Sequence, residues 1–312
     1  MRLPQVREKQ AELAKEAGVS AFCYYHYWFG NKKKILHETL EEVVATKNPN
    51  FPFCICWANH SWYKKNWNPD TQSMEQNLVL EQTYPGEHDI REHFEYLLPI
   101  FKDQRYYKID GRLVFAIYDF KGFPDFDSFK IQWNQLAKEN DLPEFYFLGY
   151  TPIVADTKTN LFDNTDGVIL SLVTGVTNKK SNSRFIGIRN LILSKLSKWF
   201  NYPLQLFTYE KAMPFMLDDV GYNENIIPVI VPNWDYTPRR GAGGFILHKS
   251  TPELFKKHVL QAIELIKGKK PEKQILFLKS WNEWGEGNYM EPDLEYGKGH
   301  INALREALDE NF

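Results

Sequence analysis

The chain is predicted to be an α/β protein, a (β/α)8 TIM-type barrel lacking its first strand at the N-terminus. Three features predict it: seven apolar runs of strand length, amphipathic helical segments between them, and an aromatic beside a hydrogen-bonding side chain at nearly every run's end. Runs that are apolar throughout, rather than alternating, mark parallel strands buried on both faces. A helix comes first where a barrel begins with a strand, so one stave of the expected set is missing. An open doubly wound sheet is the alternative topology.

Pro4 suits the first turn of the opening helix, Val6, Leu13, Ala14 and Ala17 give it an apolar stripe, and Gly18 ends it. The run 19–28 (VSAFCYYHYW) is the first strand, a helix follows around 35–47, and 52–59 (PFCICWAN) is the second strand. Residues 88–102 place Phe94, Leu97, Leu98 and Phe101 on one side of a helix. After a glycine-bearing turn, 111–119 (GRLVFAIYD) is the third strand; a helix near 126–140 leads to the fourth, 144–150 (EFYFLGY), and 166–171 (DGVILS) is the fifth. A helix at 208–220 precedes the sixth strand, 225–234 (NIIPVIVPNW). Thr251 caps a helix over 252–267, with Pro252 in its first turn and Gly268 at its end. The seventh strand is 273–281 (KQILFLKSW), and a last helix covers about 300–310. Without internal repeats or linker-like stretches, one domain over 1–312 is expected, interrupted by an irregular basic insertion at about 173–207.

Bulk composition narrows the function. A chain of 312 residues that is 43% hydrophobic has ample material for a large core. The formal net charge of -2 gives no long-range attraction for a polyanion, so no nucleic-acid partner is expected. Cys23, Cys54 and Cys56 sit in strand-like context and read as buried free thiols of a reducing compartment. No run approaches the roughly 20 apolar residues that span a bilayer, and the opening MRLPQVREKQ is polar, so a cytoplasmic location is expected. Aromatics reach 15%, with 9 Trp and 17 Tyr, many clustered with polar neighbours, as suits stacking on sugar faces.

Barrel active sites lie where the C-terminal ends of the strands converge. Read in order, those ends carry Tyr25, His26, Tyr27 and Trp28; Trp57, Asn59 and His60; Tyr118 and Asp119; Tyr150; Asn233, Trp234 and Asp235; and Trp281, Asn282 and Glu283. As a set they predict a lined pocket, although any one aromatic could simply plug the barrel mouth. The richest segment is 280–292 (SWNEWGEGNYMEP), where Glu283 and Glu286 stand three apart around Gly285. Glycines allow a tight loop that turns both carboxylates to one side. Glycoside cleavage needs such a pair, one acid to protonate the departing oxygen and one carboxylate as nucleophile or base. Trp281 and Trp284 flank the pair and are expected to desolvate one carboxyl and raise its pKa.

Other chemistries lack their signatures. His26, His60 and His88 have no ligand spacing, so no metal site is expected. GxSxG, P-loop and GxGxxG patterns are absent, and GAGG at 241–244 reads as a loop, so no cofactor is expected.

The segments AFCYYHYWF (21–29), CICWANHSW (54–62), NWDYTPRRG (233–241) and WNEWGEGNYMEPDLEYG (281–297) together resemble the WbsX-like family, over roughly residues 4–310. That family is commonly named as glycosyltransferases of lipopolysaccharide or O-antigen biosynthesis and is described as similar to glycoside hydrolase family 99, the endo-α-mannosidases. The resemblance implies a retaining barrel enzyme. Glu283 would remove the sugar 2-hydroxyl proton to give a 1,2-anhydro sugar, and Glu286 would serve as acid, later base, at the leaving oxygen. It also implies sugar contacts from Arg239, Trp284, Tyr289 and Glu291, and an oligo- or polysaccharide substrate. Two differences stand out: family 99 begins with a strand and a Trp-containing loop that this chain lacks, and Gly285 stands where family 99 tends to place a histidine.

Within the insertion, Lys179, Lys180, Arg184, Arg189, Lys195 and Lys198 interleave with Phe185, Ile186, Leu191, Ile192, Leu196, Trp199 and Phe200. Such a segment serves either as a lid packed by its apolar side or as a basic amphipathic helix in peripheral contact with a membrane or lipid-linked glycan. Two further functions stand beside the leading one: a non-catalytic glycan-binding barrel, and a sugar-nucleotide-dependent glycosyltransferase, the latter without the Asp-rich diphosphate site it normally uses.

Overall fold

Apolar strands separated by amphipathic helices organise the computed structural model, which describes residues 3–68, 73–173, 175–176, 199, 203 and 205–312. The chain divides into two units, Met1–Trp62 with Val79–Thr151 and Ala155–Ile169, and Tyr63–Leu78 with Pro152–Val154 and Leu170–Phe312. Its elements begin with α1 (Pro4–Glu16), β1 (Phe22–His26), α2 (Glu38–Thr46), β2 (Phe53–Trp57), β3 (Trp62–Asn68) and β4 (Ser73–Leu80). They continue with α3 (Glu87–Phe101), β5 (Lys108–Ile109), β6 (Arg112–Ile117), α4 (Phe126–Glu139), β7 (Phe145–Thr151), β8 (Gly167–Leu170) and β9 (Gln205–Thr208). The last are α5 (Tyr209–Ala212), β10 (Ile226–Ile230), β11 (Trp234–Asp235), α6 (Thr237–Arg240), β12 (Phe245–His248), α7 (Pro252–Ile266), β13 (Phe277–Leu278), β14 (Asn282–Glu283), β15 (Asn288–Tyr289) and α8 (Gly299–Asp309).

The first unit is built on the strand order β1-β2-β6-β7-β8. β1 and β2 run parallel with Phe22 opposite Phe53 and His26 opposite Trp57, and β6 pairs parallel with both β2 and β7. Every residue of β2 is buried, as a strand covered on both faces requires. Trp133 on α4 is fully buried against Phe94 and Phe101 of α3, Phe115 of β6 and Phe145 of β7, which fixes both helices to the sheet. Truncating a side chain so enclosed costs about 3–5 kcal/mol. Asp125 caps α4 by accepting from the Ser128 amide at 3.0 Å. Asp110 and Gly111, both at positive φ, turn β5 back onto β6 as an antiparallel hairpin.

In the second unit β10 and β13 run parallel, with Ile230 opposite Leu278. α7 starts at Pro252 under the Thr251 cap and packs along α8, burying Phe255, Val259, Ala262 and Ile263 with Ile301, Leu304 and Ala307. A small sheet in the order β11-β12-β9 and the β14–β15 hairpin complete it.

Each of the seven predicted strands has a counterpart, but several lengths differ for local reasons. The run 273–281 contracts to Phe277–Leu278, because the Gln274 amide bonds the Lys267 and Lys269 carbonyls and holds the segment before it to the end of α7. The helix expected at 208–220 is only α5 followed by 3₁₀ turns, since Pro214 supplies no amide and the Asp218 side chain accepts from Val220 instead. GAGG is a 3₁₀ turn leading into β12. The basic insertion lies for the most part outside the described residues. Among the described residues no helix is long and apolar enough to cross a membrane.

Candidate active site

The glutamate segment folds as a short antiparallel hairpin, with Asn282 opposite Tyr289 and Glu283 opposite Asn288. A single 3₁₀ turn, Trp284–Glu286, links its strands, and Gly287 at φ 51° closes it. A Cβ on Gly287 would lie 2.8 Å from Asp235 Cβ, so the hairpin meets β11 at this glycine. Asn288 is fully buried; its amide donates to the carbonyls of Asn233 (2.6 Å) and Lys279 (3.0 Å). Ser280 Oγ donates to the Asn288 carbonyl at 2.8 Å. Asn233 donates to the Tyr289 carbonyl (3.1 Å) and accepts from its amide (2.8 Å). The turn bearing both acids is therefore pinned on two sides.

Asp235 positions the opposing group. Its Oδ1 accepts from the Thr237 amide (2.9 Å) and hydroxyl (2.5 Å), which starts the one-turn helix α6. Arg239 on that turn sends Nη2 to Glu283 Oε1 at 2.9 Å and Nη1 to Glu286 Oε1 at 3.1 Å. One guanidinium thus gathers both carboxylates. Gly285 makes room, because a Cβ there would stand 3.2 Å from Glu283 Oε1 and 3.3 Å from the Arg239 nitrogens. Glu286 is the more enclosed acid, its side chain 15% exposed against 38% for Glu283. Burial pushes the Glu286 carboxyl above the usual carboxylate range, opposed by the positive charges of Lys279, Arg239 and Arg240 and assisted by Glu283.

Trp284 stacks on Tyr289, with ring centroids 3.8 Å apart and planes 12° from parallel, and its Nε1 donates to Glu291 at 2.6 Å. Trp284 is half-exposed, so the stacked pair presents an open aromatic face beside the acids. Trp234 and Trp281 are buried, the former with Lys279 Nζ 4.8 Å from its ring centroid.

The first unit carries its own aromatic rim. Tyr25 and Tyr150 are the next-to-last residues of β1 and β7, and Tyr27, His60 and Tyr118 follow β1, β2 and β6. Tyr118 and Tyr150 stack at 4.6 Å, and Tyr25 and His60 meet Tyr118 at 5.9 and 5.3 Å. His26, Trp28, Trp57 and Asn59, expected in the same lining, are instead buried and occupied within the unit. His26 Nε2 lies 2.8 Å from His93 Nε2, Trp28 donates to Asp89 (3.1 Å), and Trp57 donates to the Trp28 carbonyl (2.9 Å). Asn59 bonds the Tyr84 hydroxyl and both backbone groups of Asp119. With at most 3% of their surface exposed, these four hold the strand ends in place and leave almost nothing for a sugar to touch.

Reading the sequence set Asp235 at a strand end without its bonds to Thr237, and overlooked Asn288, Lys279 and Arg240. The adjacent pair Arg239–Arg240 directly after NWDYTP was the available signal for the last. Among the described residues no group of three His, Cys, Asp or Glu is placed to hold a metal ion.

The family model described as Glycosyltransferase WbsX matches residues 1–304. The chain belongs to the WbsX family. Protein WxcX from Xanthomonas campestris pv. campestris strain B100 is 24% identical over 99% of this chain, and the form from strain ATCC 33913 is 23% identical over the same share. The chain spans 42% of the length of each. Among solved structures, a glycoside hydrolase-like protein superposes with a TM-score of 0.61 at 15% identity, covering 98% of this chain and 86% of that one. The GH99 endo-alpha-mannosidase from Bacteroides thetaiotaomicron gives 0.54 at 14% identity, covering 99% and 80%. With the parallel strands described above, these likenesses make the fold of this WbsX-family chain α/β barrel-like.

Proposed function

We propose that this WbsX-family chain cleaves or transfers glycosyl units of a cell-surface polysaccharide of the lipopolysaccharide or O-antigen type, by retaining chemistry on Glu283 and Glu286. One observation carries the reading: a single guanidinium, that of Arg239, is bonded to both carboxylates. Two acids brought to one cation share one reaction space, and they differ in the way the chemistry needs. The enclosed Glu286, with its raised pKa, is suited to begin protonated, while the more open Glu283 is suited to act as carboxylate.

Glu283 takes the proton of the sugar 2-hydroxyl as that oxygen closes on C1, and the leaving oxygen receives the Glu286 proton. Glu286, now a carboxylate, deprotonates water or an acceptor hydroxyl, which opens the 1,2-anhydro ring at C1 while O2 recovers its proton from Glu283. The acceptor alone separates hydrolysis from transfer, and the family's description favours transfer. The open face of Trp284 on Tyr289 offers a sugar-stacking surface beside the acids.

The test is turnover of α-linked oligosaccharides by the wild type and by Glu283→Gln and Glu286→Gln, with binding followed separately. Each substitution is expected to lower turnover by roughly 10²–10⁴-fold while binding persists. A wild type that binds glycans tightly and turns none over would make this a glycan-binding module and end the catalytic reading.

A further inference from the structure

The glycine run GAGG at 241–244 packs against the turn that carries Arg239. Gly241, at φ 53° and ψ -139°, ends α6, and its carbonyl accepts from the Gly244 amide at 2.9 Å, which folds the run back on the start of that turn. A Cβ on Gly244 would lie 2.8 Å from the Thr237 nitrogen and 2.9 Å from both Thr237 Cα and the Tyr236 carbonyl carbon. All three are backbone atoms, so no side chain can swing aside to relieve the contact. Gly244 itself sits at φ -74° and ψ 155°, which any residue adopts. Space, not backbone conformation, requires a glycine here.

The peptide joining Tyr236 to Thr237 is the base of α6. Its carbonyl accepts from the Arg239 and Arg240 amides at 3.3 and 3.1 Å, so a shift of this peptide carries Arg239 with it. Gly285 meets the other end of the same side chain, since a Cβ there would stand 3.3 Å from Arg239 Nε and Nη2. One glycine thus touches the arginine at its root and the other at its tip, and the tip is bonded to both acids. Under strain, α6 is the side that yields. β12 follows Gly244 directly and is paired with both β9 and β11, with Phe245 and Leu247 buried. α6 is a single turn with none of its residues buried. Opening the contact from 2.8 Å to the 3.4 Å of ordinary packing therefore moves the root of Arg239.

We infer that Gly244 and Gly285 are positioning residues for the reaction: they seat Arg239 so that its guanidinium holds Glu283 and Glu286 in one geometry. The inference rests on the reading of those acids as the reacting pair and adds what fixes them to each other. A misplacement on the order of 1 Å at a reacting group lowers turnover by about a hundredfold, so a methyl group at either glycine has a measurable effect.

Turnover of α-linked oligosaccharides by Gly244→Ala, Gly285→Ala, Arg239→Gln and each alanine combined with Arg239→Gln tests it. Gly268→Ala, at an exposed glycine with nothing within 4 Å of its Cβ position, is the control. Gly244→Ala should lower kcat by about ten- to a hundredfold, with KM little changed. Gly285→Ala meets only the ends of flexible side chains and should lower kcat by about three- to tenfold. Added to Arg239→Gln, neither should cost more than about a further twofold, because the group they seat is already gone. Carbon-13 NMR of the glutamate carboxyls reads the same displacement without substrate. Glu286 should titrate at higher pH in both glycine variants, as in Arg239→Gln, and as in wild type in Gly268→Ala; a role confined to stability would leave it in place. Circular dichroism checks folding, and Gly285→Ala alone decides the matter if Gly244→Ala does not fold. Wild-type kcat and titration in the folded glycine variants, or losses that multiply in full with that of Arg239→Gln, would overturn the inference yet leave the glycan reading standing. A wild type without turnover, whose glycine variants still shift Glu286, would uphold the seating of Arg239 and end the catalytic reading instead.

Discussion

Asn233 and the backbone of Tyr289 bond each other in both directions, side-chain amide to carbonyl at 3.1 Å and backbone amide to side-chain oxygen at 2.8 Å. An asparagine expected to touch sugar is thereby the clamp that sets the height of the hairpin carrying both glutamates. Asn233→Ala leaves the Tyr289 groups unanswered and is expected to cost about 1–3 kcal/mol in urea unfolding. Asn233→Asp keeps the acceptor and loses the donor, so it should fall between. Unfolding midpoints equal to wild type in both variants would show that the clamp does not hold the hairpin.

Gly287 is the second hinge of the same hairpin. Its φ of 51° and the 2.8 Å approach of Asp235 Cβ leave no room for a side chain. Gly287→Ala is expected to destabilise by at least about 1–2 kcal/mol and to shift Asp235, hence α6 and Arg239, away from the acids. Turnover should therefore fall further than that of a variant destabilised to the same extent in α8. Equal loss in the two would detach the glycine from the site.

Arg239 and Lys279 restrain the Glu286 carboxyl, which burial pushes upward. Arg239→Gln removes one of those positive charges, so the pKa of Glu286 should rise further and its protonated form persist to higher pH. Carbon-13 NMR of glutamate-labelled protein, assigned with Glu286→Gln, reads this without any substrate. If turnover needs Glu286 protonated, the alkaline limb of the residual activity moves the same way. A fall in that pKa would contradict the arrangement.

His26 and His93, buried and 2.8 Å apart, make the fold acid-sensitive. Burial lowers His26 to about 3, and His93 is lowered by burial and by its partner. The unfolded chain takes up protons at these groups below about pH 6.5 while the folded chain does not, so stability is full above that pH and declines beneath it. Each histidine held neutral costs roughly 2 kcal/mol at pH 5. His93→Gln should flatten the dependence of the urea midpoint between pH 7 and pH 5 only in part, because His258 is likewise lowered to about 3. An unchanged slope would exclude the pair as its source.

The sequence by itself determined where seven of the strands, the apolar parallel ones, lie and where the acids stand. A continuous apolar run such as FCICW declares a strand buried on both faces, and two glutamates around a glycine declare a turn that presents both, since each signal is complete within a few residues. The tertiary structure decided which polar groups are spent inside the protein. Asn59 and Asn233 look alike in sequence to residues that meet a ligand, and only their partners, 25 to 60 positions away, show them bonded internally. The same holds for Arg239, which reaches the two acids across 44 and 47 positions. Burial and charge pairing depend on what other segments bring to a point in space, and no local pattern encodes that.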